Sequence, residues 1–192
     1  RPIVLALPPG GVPIAQEIAQ WLGAELEMMQ AEGLVVEGYR GAVAETGEVE
    51  LDSGDVNSGS EERLAGRIVD GLSRMLLRRV HWLTGTSIPR VAGRVVILVA
   101  DGLATGARMR AALRSLRARD ASRIVAVALA ATEHSVSRLK PLADEVLCLM
   151  THSRLSSVGR SLRKWKRVPE ETAYRMLRQR GGPRRAAALE AV

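Results

Sequence analysis

Phenylalanine is absent from this 192-residue chain, and three Trp with two Tyr bring the aromatics to only 3%. A core without those rings must be filled by Val, Leu, Ile and Ala, the residues of strands buried beneath helices on both faces. The single cysteine, Cys148, excludes an internal disulfide framework, and its setting in "DEVLCLM" reads as a packed strand thiol rather than a nucleophile. No apolar run approaches the ~18 residues of a membrane span and no secretory signal pattern is visible, so a cytoplasmic location and no membrane partner are expected. The chain opens at Arg1 directly ahead of a strand, without Met, so residues are expected to precede it. Metal-ligand and nucleophile patterns are missing too. His81, His134 and His152 are scattered, and Gly-x-Ser-x-Gly does not occur. Each His reads as a surface or capping residue, with His152, beyond a strand end, the one best placed to face a base pocket.

What is present is globular: 46% hydrophobic and 26% charged residues. The net charge is +7 and the pI about 10.6, which suits anionic partners, whether phosphorylated small molecules or nucleic acid, but equally describes a merely basic surface.

Along the chain, "IVLAL" at 3–7 is a strand ended by "PPGG", and apolar positions from Val12 to Leu22 follow helical spacing. Residues 25–29 read as a second strand. Short alternating runs around "AETGEVELD" predict a β-hairpin followed by a mobile segment, and 60–80 a helix opened by Ser60. Then "GRVVILVA", "RIVAVALAAT" and "EVLCLM" are buried strands, with helices over 107–119 and 133–140 between them. Strands alternating with helices predict an α/β fold: a doubly wound, mainly parallel sheet flanked by helices, with a β-hairpin insertion. No repeat or linker divides residues 1–192, which read as one domain ending in a basic helix and tail over 160–192.

In such sheets ligands bind beyond the carboxyl ends of the strands, near the point where strand order reverses. Two turns fit that place. One is Pro8-Pro9-Gly10-Gly11. The other begins with Asp101 and Gly102, a charge placed directly after an apolar strand, and runs through Ala104, Thr105, Gly106, Ala107 and Arg108 into a helix. Free N–H groups at a helix start, the positive end of its dipole and a Thr hydroxyl make a phosphate cradle, and Gly106 permits close approach. The plainer reading is that Asp101 caps the turn, Thr105 is the helix N-cap and Arg108 faces solvent.

"VILVADGLATGARMRAALRSL" resembles the PRPP-binding signature of type I phosphoribosyltransferases: four apolar residues, two acidic residues, then a Thr-Gly phosphate loop. "LALPPGGVPIAQEIAQWLGAEL", "EGYRGAVAETGEVELD" and "VGRSLRKWKRVPEETAYRML" resemble a bacterial subgroup of predicted phosphoribosyltransferases, so the resemblance covers almost all of 3–180. It implies the type I phosphoribosyltransferase fold. It also implies transfer of a phosphoribosyl group from PRPP to a nucleobase or other nitrogen acceptor, with release of pyrophosphate. Asp101 would hold the ribose hydroxyls, Ala104 to Arg108 the 5′-phosphate and Pro8 to Gly11 the pyrophosphate, with Glu37 as a second catalytic residue. Mg²⁺ would arrive chiefly through PRPP itself.

The family pattern is broken where charge matters. The acidic pair is Ala100-Asp101, the first-loop Arg is Pro9, and the Arg-Lys after the second strand falls on Met28 and Met29. Arg40, Arg90 and Lys140 are candidate substitutes. This degeneracy leaves open a homologue that binds PRPP or a nucleotide without turnover. A third reading comes from the C-terminal region, where residues 160–185 hold ten Lys or Arg against two Glu, with Trp165 between Lys164 and Lys166. Such a stretch binds nucleic acid, or is a solvated amphipathic helix with Tyr174, Met176 and Leu177 inward; the latter is preferred. A homodimer is the usual symmetric assembly.

Overall fold

The computed structural model describes residues 2–36, 39–52, 60–82, 88–154 and 168–179. Five strands form a parallel sheet: β1 (Ile3–Ala6), β2 (Glu25–Met28), β6 (Val95–Leu103), β7 (Arg123–Thr132) and β8 (Glu145–His152). Their order is β2-β1-β6-β7-β8. A second sheet is antiparallel, β3 (Ala31–Val36), β4 (Tyr39–Ala44) and β5 (Val49–Asp52). The helices are α1 (Gly11–Leu22), α2 (Ser60–Trp82), α3 (Ala107–Ala118), α4 (Glu133–Leu139) and α5 (Glu170–Arg178).

The apolar strand runs are buried on both faces, as a sheet between two layers requires. Ile3, Leu5, Val96 and Leu98 point into one core layer with α3 and α4, while Val4, Ala6 and Val99 point into the other with α1 and α5. Small residues bring α1 close: a Cβ added to Gly11 would lie 2.3 Å from the carbonyl oxygen of Val99. The helix ends at Gly23, whose left-handed backbone (φ 57°) is the ordinary glycine C-terminal turn.

Three details differ from the sequence reading. The hairpin is a three-stranded sheet, because "AEGLVV" pairs with β4 from Ala31↔Ala44 to Val36↔Tyr39. The central strand does not end before Asp101 but continues pairing to Leu103↔Ala131. And β8 is not buried: it is the sheet edge, with Leu147 49% and Leu149 74% exposed. The segment expected to be mobile, 53–59, lies outside the described residues.

The second sheet sits on the α3 side. Its one face packs Leu34, Val43 and Val49 against Leu64, Ile68, Leu72 and Met75 of α2. Its other face supplies Ala42 and Ala44 to the core around α3. α3 is therefore clamped between two sheets, and even Arg110 within it is only 1% exposed.

Candidate functional site

Strand order reverses between β1 and β6, so the turns that follow them, β1–α1 and β6–α3, lie side by side at the carboxyl edge of the sheet. Alternation along β6 divides its end residues. Ala100 and Gly102 line a cavity of about 260 Å³ together with Leu7, Gly33, Gly41 and the Leu103–Met109 segment. Asp101 points to the other face, toward the start of α1. A Cβ on Gly10 would fall 2.0 Å from its Oδ2, so only glycine admits the carboxylate there. Its Oδ1 accepts the Gly102 N–H at 2.9 Å.

The β6–α3 turn is shaped by what holds its carbonyls. The Ala104 oxygen accepts from Thr132 Oγ1 (3.0 Å) and Ser135 Oγ (2.9 Å). The Thr105 oxygen accepts from Arg110 Nη1 (2.6 Å), and the Gly106 oxygen from the Arg110 N–H (2.9 Å). In a trans peptide the N–H points opposite to the C=O. Three successive carbonyls drawn inward therefore turn the N–H groups of Thr105 and Gly106 outward, toward the cavity. Thr105 Oγ1 accepts the Ala107 N–H at 3.3 Å, so Thr105 closes the turn from one position before the N-cap, which is Gly106 (φ 74°) rather than the Thr105 expected. The first-turn N–H groups of α3 lack partners within the helix and add to the positive end of its dipole.

Behind this turn lies an ion cluster that periodicity did not reveal. Arg110 Nε donates to Glu50 Oε1 (2.9 Å), and its Nη2 pairs with Asp52. Arg114 Nε reaches Glu50 Oε2 (2.5 Å), and Arg138 Nη1 reaches Asp52 Oδ1 (2.8 Å). Burial raises the Glu50 carboxyl, but hydrogen bonds and charge from Arg114 and Arg110 outweigh it and hold the group below its ordinary 4.5.

The β1–α1 turn is built differently. Pro8 and Pro9 border a smaller cavity of about 160 Å³ with Gln30, Glu32, Met75, Arg78, Arg108 and Tyr174 among its walls. Its charges are largely spent: Arg78 contacts Glu32 at 2.9 Å and Glu170 at 3.0 Å. Met28 and Met29 are fully buried, one in each core layer. Beneath them Arg79 and Glu45, 3% and 5% exposed, pair at 2.6 Å, and Gln30 Nε2 donates to Glu45 Oε2 and the Met75 carbonyl. Burial and the Glu170 charge push the Tyr174 phenol upward. Arg108 is exposed and borders both cavities.

The fold thus brings Pro8–Gly11, Asp101, Gly102 and Ala104–Arg108 together, although Asp101 sits over Gly10 rather than on the wall of the larger cavity. Glu37 lies outside the described residues, as do Lys164, Trp165 and Lys166. Of the substitute cations, Arg90 and Lys140 are at the opposite edge, before β6 and before β8. Arg40 is better placed: Thr46 meets Ser115, and Asp52, opposite Arg40, meets Arg110, so β4 carries Arg40 toward the α3 N-terminus. Cys148 Sγ donates to the Met150 carbonyl at 3.1 Å, and burial raises its pKa, so it is the packed thiol expected of "DEVLCLM". Among the described residues no group of three or more His, Cys, Asp or Glu could hold a metal ion, and no helix is long and apolar enough to cross a membrane.

The family model of the phosphoribosyl transferase domain matches residues 1–159. The chain belongs to that family. Phosphoribosyl transferase relatives agree over most of its length: two Mycobacterium tuberculosis proteins, each named "Putative phosphoribosyl transferase", are 32% identical over 184 residues, 91% of this chain. The chain spans 41% of their length. The crystal structure of TT1426 from Thermus thermophilus superposes with a TM-score of 0.77 at 31% identity, covering 94% of this chain and 88% of that one. The expected phosphoribosyltransferase-like sheet is therefore the fold of this chain.

Proposed function

We propose that the chain binds PRPP and transfers its phosphoribosyl group to a nitrogenous acceptor. The observation that carries this reading is the inward pull on the carbonyls of Ala104, Thr105 and Gly106, which leaves outward N–H groups at a helix start within a phosphoribosyl transferase domain. The 5′-phosphate sits in that cradle with Arg108 beside it, and the ribose extends toward Ala100, Gly102 and Asp101. The pyrophosphate lies by Pro8–Gly11. The bond from ribose C1 to the pyrophosphate oxygen breaks and takes its electron pair with the leaving group. The acceptor nitrogen then bonds to C1 and gives up a proton. The protein's part is to stabilise the oxocarbenium-like centre and the departing anion. Mg²⁺ is carried by the PRPP phosphates and water, the ion's preferred ligands, since the acidic groups nearest the smaller cavity, Glu32 and Glu170, already pair with Arg78.

One observation favours a second reading, a homologue that binds PRPP or a nucleotide without turnover. The leaving group faces a cavity where Arg78 is neutralised and Met28 and Met29 are buried, so among the described residues the cationic help it needs is reduced to Arg108 and Arg40. Calorimetric titration with PRPP and Mg²⁺, followed by pyrophosphate release over a panel of bases, separates the two. Binding with release supports transfer; binding alone supports the second reading. No binding rejects both.

A further inference from the structure

We propose that Arg110 is the positioning residue of the phosphate loop, and that through it the second sheet sets whether the loop accepts an anion; this rests on the phosphate reading above. Arg110 is 1% exposed, and its fork is divided between two jobs. Nε and Nη2 are anchored on Glu50 and Asp52, two residues on the same face of β5. Nη1, thereby fixed in direction, takes the Thr105 carbonyl at 2.6 Å. Gly106 is wedged from the same side, since a Cβ there would meet Ser135 Cβ at 3.3 Å and Arg110 Nη1 at 3.4 Å. Without the guanidinium, the Thr105–Gly106 peptide is free to rotate, and the Gly106 N–H no longer faces the cavity.

Stability alone does not account for such a group. A buried ion pair is often replaceable by apolar side chains without loss, so a buried fork whose third arm holds a loop carbonyl is better explained by the geometry it enforces. The cluster can also spare the guanidinium. Three arginines, Arg110, Arg114 and Arg138, face two carboxylates, Glu50 and Asp52, which leaves one excess positive charge behind the loop. Arg110 can be removed without stranding an acid, because Glu50 keeps Arg114 and Asp52 keeps Arg138.

The test uses ribose 5-phosphate as the probe, titrated calorimetrically at fixed salt against the whole chain, with thermal melts to establish folding. Arg110→Met is expected to fold and to lose at least tenfold in affinity, and Arg110→Lys to recover part of that loss. Arg114→Met, which takes a charge from the same cluster without touching the loop, is expected to bind within twofold of the wild type. Equal losses in Arg110→Met and Arg114→Met would make the effect one of charge and overturn the proposal, as would unchanged binding by folded Arg110→Met. Should Arg110→Met not fold, the comparison of Arg110→Lys with Arg114→Met decides on the same terms. A wild type that does not bind ribose 5-phosphate overturns the phosphate reading itself and this inference with it.

Discussion

Two turns sit side by side at the carboxyl edge of the sheet, each leading from a buried strand into a helix, and they are built on opposite plans. The β6–α3 turn has its carbonyls bound from behind, its N–H groups turned outward and an exposed arginine at its rim. The β1–α1 turn has two prolines, which bring no N–H, and two glycines filled from outside, Gly10 by the Asp101 carboxylate and Gly11 by the Val99 carbonyl. A helix start is thus not an anion site by virtue of its dipole alone. What the proposed phosphate site adds is that neighbouring elements occupy the carbonyls and leave the amides free.

That contrast can be broken at four points. Gly11→Ala has the largest expected effect, since its Cβ would meet backbone 2.3 Å away and α1 must shift off the sheet. We expect a loss of about 3 kcal/mol, read from the urea midpoint, at the upper end for overpacking. Gly106→Ala comes next. Its left-handed φ of 74° costs a non-glycine residue roughly 1–2 kcal/mol, so ribose 5-phosphate affinity should fall about tenfold in calorimetry. An unchanged affinity would mean that the ligand does not approach this backbone.

Arg108→Ala tests whether the rim arginine serves both cavities. PRPP affinity should drop more than ribose 5-phosphate affinity, and both differences should shrink between about 0.02 M and about 0.5 M salt, as an exposed charge is screened. Equal drops would confine Arg108 to the 5′-phosphate. The smallest effect is the acid response of Glu50. Because its folded pKa is depressed, its stabilisation is fully present above the ordinary value of 4.5 and is lost as pH falls through the lower folded value. In melts below pH 4.5 the gap between wild type and Glu50→Gln should therefore close; a constant gap would show that the cluster holds by packing rather than charge.

Much of the architecture was readable in residue patterns. The runs "IVLAL", "VVILVA" and "RIVAVALAAT" specified strands because uninterrupted β-branched and small apolar residues suit burial on both faces. The Val12–Leu22 and Met109–Leu116 spacings specified helices by the same local logic. The strand "AEGLVV" is hard to read from the sequence because only Leu34 of its six residues is buried, which leaves little apolar alternation to read. The end of β6 was misplaced because Asp101 looks like a boundary, although pairing with β7 carries the strand past it.

By itself the sequence determined the alternation of strands and helices, the two turns at the switch point and the presence of a Thr-Gly loop, since all of these depend on neighbours within a few positions. Only the tertiary structure decided that Asp101 faces Gly10 while Ala100 faces the larger cavity, because the parity of a strand acquires meaning once its two faces are assigned to layers. It alone also decided that Arg110, an ordinary member of an arginine-rich helix, is buried. That burial depends on Glu50 and Asp52, about sixty positions away in the chain, and such distant compensation of a charge has no signature in local periodicity.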